Sequence, residues 1–304
     1  MTENSTYRDP KTLPDVKGRL RFDVSLARYS WFRTGGPADV MFEPEDEDDL
    51  IQFLSAVDPA LAITLIGVGS NVLVSDEGVD GIVIRLGKKF SETHIEGDNI
   101  TAGAGAMDVH VARLACDAGI AGLQWLVGVP GTIGGAIRMN AGAYGGDVAT
   151  SLVRAKAVNF AGEIFNVTVD ELGFSYRHSK APKDWIFLSG TFKGTQGDPA
   201  TLRANMQEIS TTREDSQPIG TRTGGSTFKN PEGYKAWQLI DDAGCRGLRI
   251  GDAMMSEKHC NFLINMGAAT ATDVSKLGEA VRDKVLQHSG VALEWEIRRI
   301  GRGF

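Results

Sequence analysis

Seven glycines fall within nineteen residues between positions 128 and 146, and no other feature constrains the fold of this chain so strongly. Each glycine in regular structure costs about 0.5–1 kcal/mol relative to alanine, because the unfolded chain has more freedom to lose. A chain accepts that cost where main chain must come close to a flat or charged ligand with its N–H groups free to donate. A flexible linker would place serine and charge between the glycines. Here Ile133, Ile137, Met139 and Tyr144 stand between them, so a packed, ligand-facing loop is expected.

The 304 residues suggest two domains at roughly 150 residues each. With 42% hydrophobic and 23% charged residues, the chain can bury large cores and disorder is excluded as its main state. A net charge of −7 counts against a nucleic-acid binder, though not against a small anionic ligand held by local groups. No apolar run approaches the ~18–20 residues of a membrane span. The opening residues lack the basic and apolar parts of a secretory leader. Three cysteines make no disulfide framework and point to a reducing compartment, the cytoplasm. Five scattered histidines show no metal-ligand spacing, and no metal is expected.

Hydrophobic spacing sets out the elements. The acidic run 43–49 leads into Leu50, Phe53, Leu54 and Val57, which predicts a helix with its acids in the first turn. Short apolar runs at 61–66, 72–74 and 82–86 read as strands, with hairpin turns at Asp98-Asn99 and Ala161-Gly162. Asp108 is the candidate cap of a helix that Gly119 ends. After a strand at 185–192, Asp198-Pro199 starts a helix with Leu202, Met206, Ile209 and Arg213 on one side. Two more helices stop at Gly244 and Gly290, and strands are expected at 262–264 and 291–300. The class is α+β. The expected division is an N-terminal extension over 1–20, a strand-rich domain over 21–195 that splits near 80, and a mixed domain over 196–304.

Gly67-Val68-Gly69-Ser70-Asn71 fails as a dinucleotide fingerprint, because Val72 takes the third-glycine position and a strand follows rather than a helix. It can still form a nest of N–H groups for a phosphate; the plain alternative is a tight turn. Gly224-Gly225-Ser226 sets a hydroxyl on a bare turn, without the Gly-x-Ser-x-Gly elbow of a hydrolase. In the last strand Leu293, Trp295 and Ile297 share one face and Glu294, Glu296 and Arg298 the other. That pattern does not choose between the glutamates, and a solvated face with a surface ion pair explains it equally well. Tyr176-Arg177-His178 reads by itself as a surface turn.

In series, these motifs are specific. Gly67-x-Gly69-Ser70-Asn71, Pro130-Gly131-Thr132-x-Gly134-Gly135, Asn140-Ala141-Gly142-Ala143-Tyr144-Gly145, Ser175-Tyr176-Arg177, Gly225-Ser226-x-Phe228-Lys229-Asn230-Pro231 and Glu294-x-Glu296-x-Arg298 occur in that order. From Tyr29 to Ile300 the chain resembles the UDP-N-acetylenolpyruvoylglucosamine reductase (MurB) family of flavoenzymes in bacterial peptidoglycan synthesis, in its type II branch. The resemblance implies an FAD-binding fold of the vanillyl-alcohol-oxidase (PCMH) type, followed by an α/β substrate-binding domain. It implies that Gly67, Gly69, Ser70 and Asn71 hold the pyrophosphate of non-covalent FAD. Pro130, Gly131, Thr132, Gly134, Gly135, Asn140, Gly142 and Ala143 would line the flavin. Arg213 would lie near the ring, with Ser216 where many members have lysine.

The implied reaction uses NADPH to reduce FAD, then passes hydride from flavin N5 to C3 of UDP-N-acetylglucosamine enolpyruvate. Ser226 matches the proton donor to C2, and Lys229 is a candidate for its relay. Arg177 and Glu296 match the pair that polarises the substrate carboxylate, so the resemblance selects Glu296 over Glu294. Lys229, Asn230 and His259 would face the UDP-sugar, and a monomer is expected. An FAD-dependent alcohol or sugar oxidase of the same fold is the alternative, marked by fast oxygen reaction without NADPH. A nucleotide-sugar-binding module without flavin would be colourless.

Overall fold

The computed structural model describes residues 12–304, which form two compact units. One comprises residues 12–22, 40–67 and 81–212; the other comprises 23–39, 68–80 and 213–304.

The first unit contains a five-stranded antiparallel sheet in the order Ile164–Thr168, Leu152–Val158, Ile186–Lys193, Asn99–Gly103, Thr93–Glu96. Helices Asp108–Asp117 and Ile133–Met139 supply Val111, Ala115, Ile133 and Ile137 to its core, where they meet Ile100 and Phe192. A second core joins Val40, Phe42, Ile82 and Ile84 to Leu50, Phe53 and Leu54 of helix Glu47–Ala56. The acids of that helix do sit in its first turn, and Asp46 caps it by accepting the Asp49 N–H at 2.9 Å.

The second unit holds a four-stranded antiparallel sheet, Arg222–Ser226, Phe262–Asn265, Ala253–Met255, Arg249–Ile250. Helix Ala271–Ser289 and helix Ala236–Asp242 bring Val274, Leu277, Val281 and Ile240 to one core. Gly244 and Gly290 both take the left-handed backbone expected of helix stops, with φ of +68° and +72°.

Several expectations need correction. Residues 1–11 of the expected extension lie outside the described residues, but 12–20 are packed: Leu13 is in a core, and the N–H groups of Lys17 and Gly18 donate to the Asp49 carboxylate at 2.7 and 2.9 Å. The units are not continuous in sequence as a cut at 195/196 requires. Phe32 and Leu73 are buried in the core of the second unit, and Val72–Val74 pairs in parallel with Arg298–Ile300. Only Arg298–Ile300 of the expected 291–300 strand is a strand, with one further bridge from Trp295 to Phe228. The 82–86 run begins and ends earlier, at Val79–Ile84. The first hairpin turns at Gly97-Asp98, because Glu96 pairs with Asn99 and Gly97 takes φ +58°. Asp108 is not a cap. It is the first helical residue, and its carboxylate is wholly buried without a hydrogen-bond partner.

Candidate functional site

Gly67, the first residue of one glycine stretch, meets Thr132 and Gly135 of the other within the first unit. A Cβ at Gly67 would stand 3.1 Å from Thr132 Oγ1, and one at Gly135 would meet nothing nearer than that hydroxyl at 3.9 Å. Gly67, Thr132 and Gly135 thus make a bare cradle around one nearly buried hydroxyl. Main chain stripped of side chains beside a donor hydroxyl is the chemistry a phosphate needs, so these residues fit a dinucleotide cofactor.

Four of the remaining glycines of 128–146 lie close to other parts of the same unit, and this stretch is not all loop. Residues Ile133–Met139 form a helix, and 142–143 pair with 146–147 as a hairpin. A Cβ at Gly128 would lie 2.7 Å from the Tyr144 ring, one at Gly134 2.9 Å from Ala104 Cβ, and one at Gly142 2.7 Å from Asp147 Cβ. Gly146 is pressed on the Trp125 ring. Much of the glycine content therefore serves internal close packing. The Asp108 N–H donates to the Gly131 carbonyl at 3.1 Å, and burial pushes the Asp108 carboxyl well above the usual carboxylate range.

Arg177 belongs to this unit too. It occupies a two-residue turn closed by paired main-chain bonds between Ser175 and His178, and its φ is +53°. Its guanidinium donates to the Gly142 carbonyl at 2.7 Å and lies over the Tyr176 ring. Asn140, left-handed at the end of helix Ile133–Met139, donates through Nδ2 to the Ser175 carbonyl at 2.9 Å.

The second unit carries Ser226 and Glu296. Strand Arg222–Ser226 pairs Thr223 with Ile264 and Ser226 with Phe262, so the register shifts across Gly224-Gly225. Such a bulge re-aims the residue after it, here half-buried Ser226. Gly225 takes φ +80° with open space where a Cβ would be, a backbone that suits glycine. The next residue, Thr227, is completely buried and joins three segments. Its N–H donates to the Asn261 carbonyl at 2.8 Å, its hydroxyl accepts the Leu263 N–H at 3.1 Å, and its carbonyl accepts the Glu296 N–H at 2.8 Å. Ser226 and Glu296 are thereby tied to the same crossing of main chains. Asn261 reinforces it, with its side-chain amide bonded to both the N–H and the carbonyl of Phe228. Sequence reasoning missed Thr227 and Asn261, because their partners lie more than thirty residues away and no local pattern marks them.

The two glutamates differ in place. Glu294 is three-quarters exposed and pairs with Lys229 at 3.2 Å, whereas Glu296 is half-buried at the crossing. A surface ion pair thus does exist here, but it belongs to Glu294. Asn71 donates through Nδ2 to the Glu296 carbonyl at 3.2 Å, and its main-chain carbonyl accepts the Arg298 N–H at 3.0 Å, so side chain and main chain together tie down the last segment. Asn230 accepts the first N–H of helix Ala236–Asp242 at 2.9 Å. His259 accepts the Asn261 N–H through Nδ1 at 3.3 Å; burial, with Arg246 nearby, pushes its imidazole below the usual range. Arg213 bonds Gln217 at 3.1 Å. Gly69 is pressed on the Tyr29 carbonyl. Among the described residues no cluster of His, Cys, Asp or Glu is placed to hold a metal, and no helix is long and apolar enough to cross a membrane.

Residues 38–168 match the FAD binding domain family, and residues 217–300 match the C-terminal domain family of UDP-N-acetylenolpyruvoylglucosamine reductase. Over 98% of its length the chain is 56% identical to the protein of that name from Paramagnetospirillum magneticum, 97% of which is covered. The corresponding protein of Azorhizobium caulinodans is 55% identical over 95% of this chain and 94% of its own. The crystal structure of UDP-N-acetylenolpyruvylglucosamine reductase from Thermus caldophilus superposes with a TM-score of 0.83 at 34% identity, covering 93% of this chain and 99% of that one.

Proposed function

The chain belongs to the UDP-N-acetylenolpyruvoylglucosamine reductase family, and from that premise we propose how its residues divide the work. It is an FAD-dependent oxidoreductase that converts UDP-N-acetylglucosamine enolpyruvate to UDP-N-acetylmuramate, on an α+β FAD-binding fold followed by a substrate-binding domain. We assign the cofactor role chiefly to the first unit and the substrate role to the second.

Gly67, Thr132 and Gly135 would hold the FAD phosphates through bare main chain and one hydroxyl, a role supported by their close approach. FAD, when bound, supplies hydride equivalents taken from NADPH to C3 of the enolpyruvyl group. Ser226 delivers the proton to C2. A serine hydroxyl is a weak acid, so its reach into the site, set by the Gly224-Gly225 bulge, matters more than its pKa. Arg177 and Glu296 act as a pair on the substrate carboxylate, and the Arg177 guanidinium offsets the negative charge that develops there as hydride reaches C3. Charge placed in advance for the transition state does more for such a reaction than any other single device, and loss of one such group typically costs about 10²–10³ in turnover. Lys229, whose ammonium pairs with Glu294 at 3.2 Å, is the candidate to return a proton to Ser226. A cytoplasmic setting is supported by three buried, free thiols.

The observation that carries this reading is the crossing at Thr227, where a single buried residue ties Ser226 and Glu296 to one main-chain junction. The test is anaerobic. NADPH should bleach the yellow holoprotein, and UDP-N-acetylglucosamine enolpyruvate should restore the colour. A holoprotein that NADPH fails to bleach, but whose flavin reacts fast with oxygen once reduced by other means, would favour the oxidase alternative instead.

A further inference from the structure

We propose that Asn140 is a positioning residue for Arg177: it ties the turn that presents the guanidinium to the end of helix Ile133–Met139. This inference rests on the reading of Arg177 as a catalytic group.

Asn140 has φ +43° and ψ +56°, a left-handed backbone that asparagine tolerates better than most residues. The residue is only 5% exposed, and both ends of its amide are engaged by main chain. Oδ1 accepts the Ala149 N–H at 2.9 Å, which settles the orientation of the amide. Nδ2 then points to the Ser175 carbonyl, also at 2.9 Å. That same carbonyl accepts the His178 N–H at 3.1 Å and closes the turn that contains Arg177.

The turn needs an outside hold. Arg177 stands at φ +53°, where a residue with a Cβ is disfavoured, and such a conformation persists only if its surroundings over-determine it. Asn140 anchors the main chain of the turn. Two residues on, the Gly142 carbonyl receives the guanidinium itself at 2.7 Å. Backbone and side chain of Arg177 are therefore both referenced to residues 140–142. The same helix end holds the descending limb of the loop. Arg138 donates to the carbonyls of Ala181 and Pro182 at 3.0 and 2.9 Å, and Ser179 donates to the Arg138 carbonyl at 2.9 Å. Asn140 was expected to contact flavin, yet a buried amide with both ends committed to main chain is built for holding the loop.

Asn140→Asp keeps the acceptor for Ala149 and removes the donor to Ser175. Asn140→Gly keeps the left-handed backbone and removes both bonds. In anaerobic stopped flow, each variant should lose about 10- to 100-fold in the limiting rate of flavin reoxidation by UDP-N-acetylglucosamine enolpyruvate. Flavin reduction by NADPH and the FAD dissociation constant should stay within about twofold of the parent, which a general loosening of the unit would not allow. Unchanged reoxidation overturns the inference. So does loss of FAD with both half-reactions slowed alike, in both variants, which would make Asn140 part of the flavin site. Arg177→Ala is the control for the premise. If it reoxidises normally, the catalytic reading of Arg177 fails; if it is slow while both Asn140 variants are normal, only the positioning role fails.

Discussion

Substituting Asp108 by asparagine should change the pH dependence of stability in a direction the structure dictates. The carboxyl is completely buried, has no hydrogen-bond partner, and is pushed well above its ordinary range by desolvation. In the unfolded chain it titrates near 4, as free aspartate does. Below that value both states hold the proton, and whatever stability the neutral carboxyl confers is fully present. Above it the unfolded chain has released the proton while the folded chain keeps it. Wild-type stability then falls by about 1.4 kcal/mol for each pH unit until the folded carboxyl ionises. Asparagine has no proton to exchange, so the variant lacks this slope. The pH-independent offset is less decisive: a buried amide without partners costs about 1–3 kcal/mol, which shifts the whole variant curve without tilting it. The informative quantity is the double difference. Urea unfolding of both holoproteins at pH 5, 5.5 and 6 should show the variant gaining on the wild type as pH rises, by at most about 1.4 kcal/mol across that unit. Other titrating groups cancel, being shared. Parallel curves would refute the reasoning, since they would mean that the carboxyl is ionised or solvated in the folded protein.

Three further outcomes are expected. Ser226→Ala should leave flavin reduction by NADPH intact and slow reoxidation by the enolpyruvyl substrate by about 10² or more, measured by anaerobic stopped flow; equal slowing of both steps would remove Ser226 from the proton-donor role. Glu296→Gln should lower turnover by about 10²-fold while Glu294→Gln, which only breaks an exposed pair with Lys229, should change it little. Equal effects in steady-state assays would undo the choice between them. Thr227→Val, nearly isosteric, strips the acceptor from the Leu263 N–H in a fully buried place and should cost about 1–3 kcal/mol in urea unfolding. A loss below about 0.5 kcal/mol would show that the bond does not hold the crossing.

Where the chemistry of an element is local, the chain declared it openly. The helix after Asp46, the Asp198-Pro199 helix start, where the Thr201 N–H reaches the Asp198 carboxylate at 2.9 Å, and the glycine stops at 244 and 290 all form as their neighbours in sequence require. Asp108 misled for a related reason. Its residue type suits a cap, but its side chain packs inward where no N–H meets it. The glycines of 128–146 were visible as a demand for bare backbone, but not what they are bare against. Gly128 and Gly146 make room for Tyr144 and Trp125 of the same unit, while Gly67 and Gly135 surround Thr132.

Sequence alone therefore pointed to the family, to the elements whose signals are local, and through the ordered motifs to the three side chains proposed to act, because capping, periodicity and motif order are properties of the chain itself. Tertiary structure decided which bonds hold those side chains: Thr227 between Asn261, Leu263 and Glu296, and Asn140 beneath the turn of Arg177. It also decided that Phe32 and Leu73 belong with the C-terminal core. Such choices depend on partners tens to hundreds of residues apart, brought together by burial, and burial is settled only when all the elements pack at once.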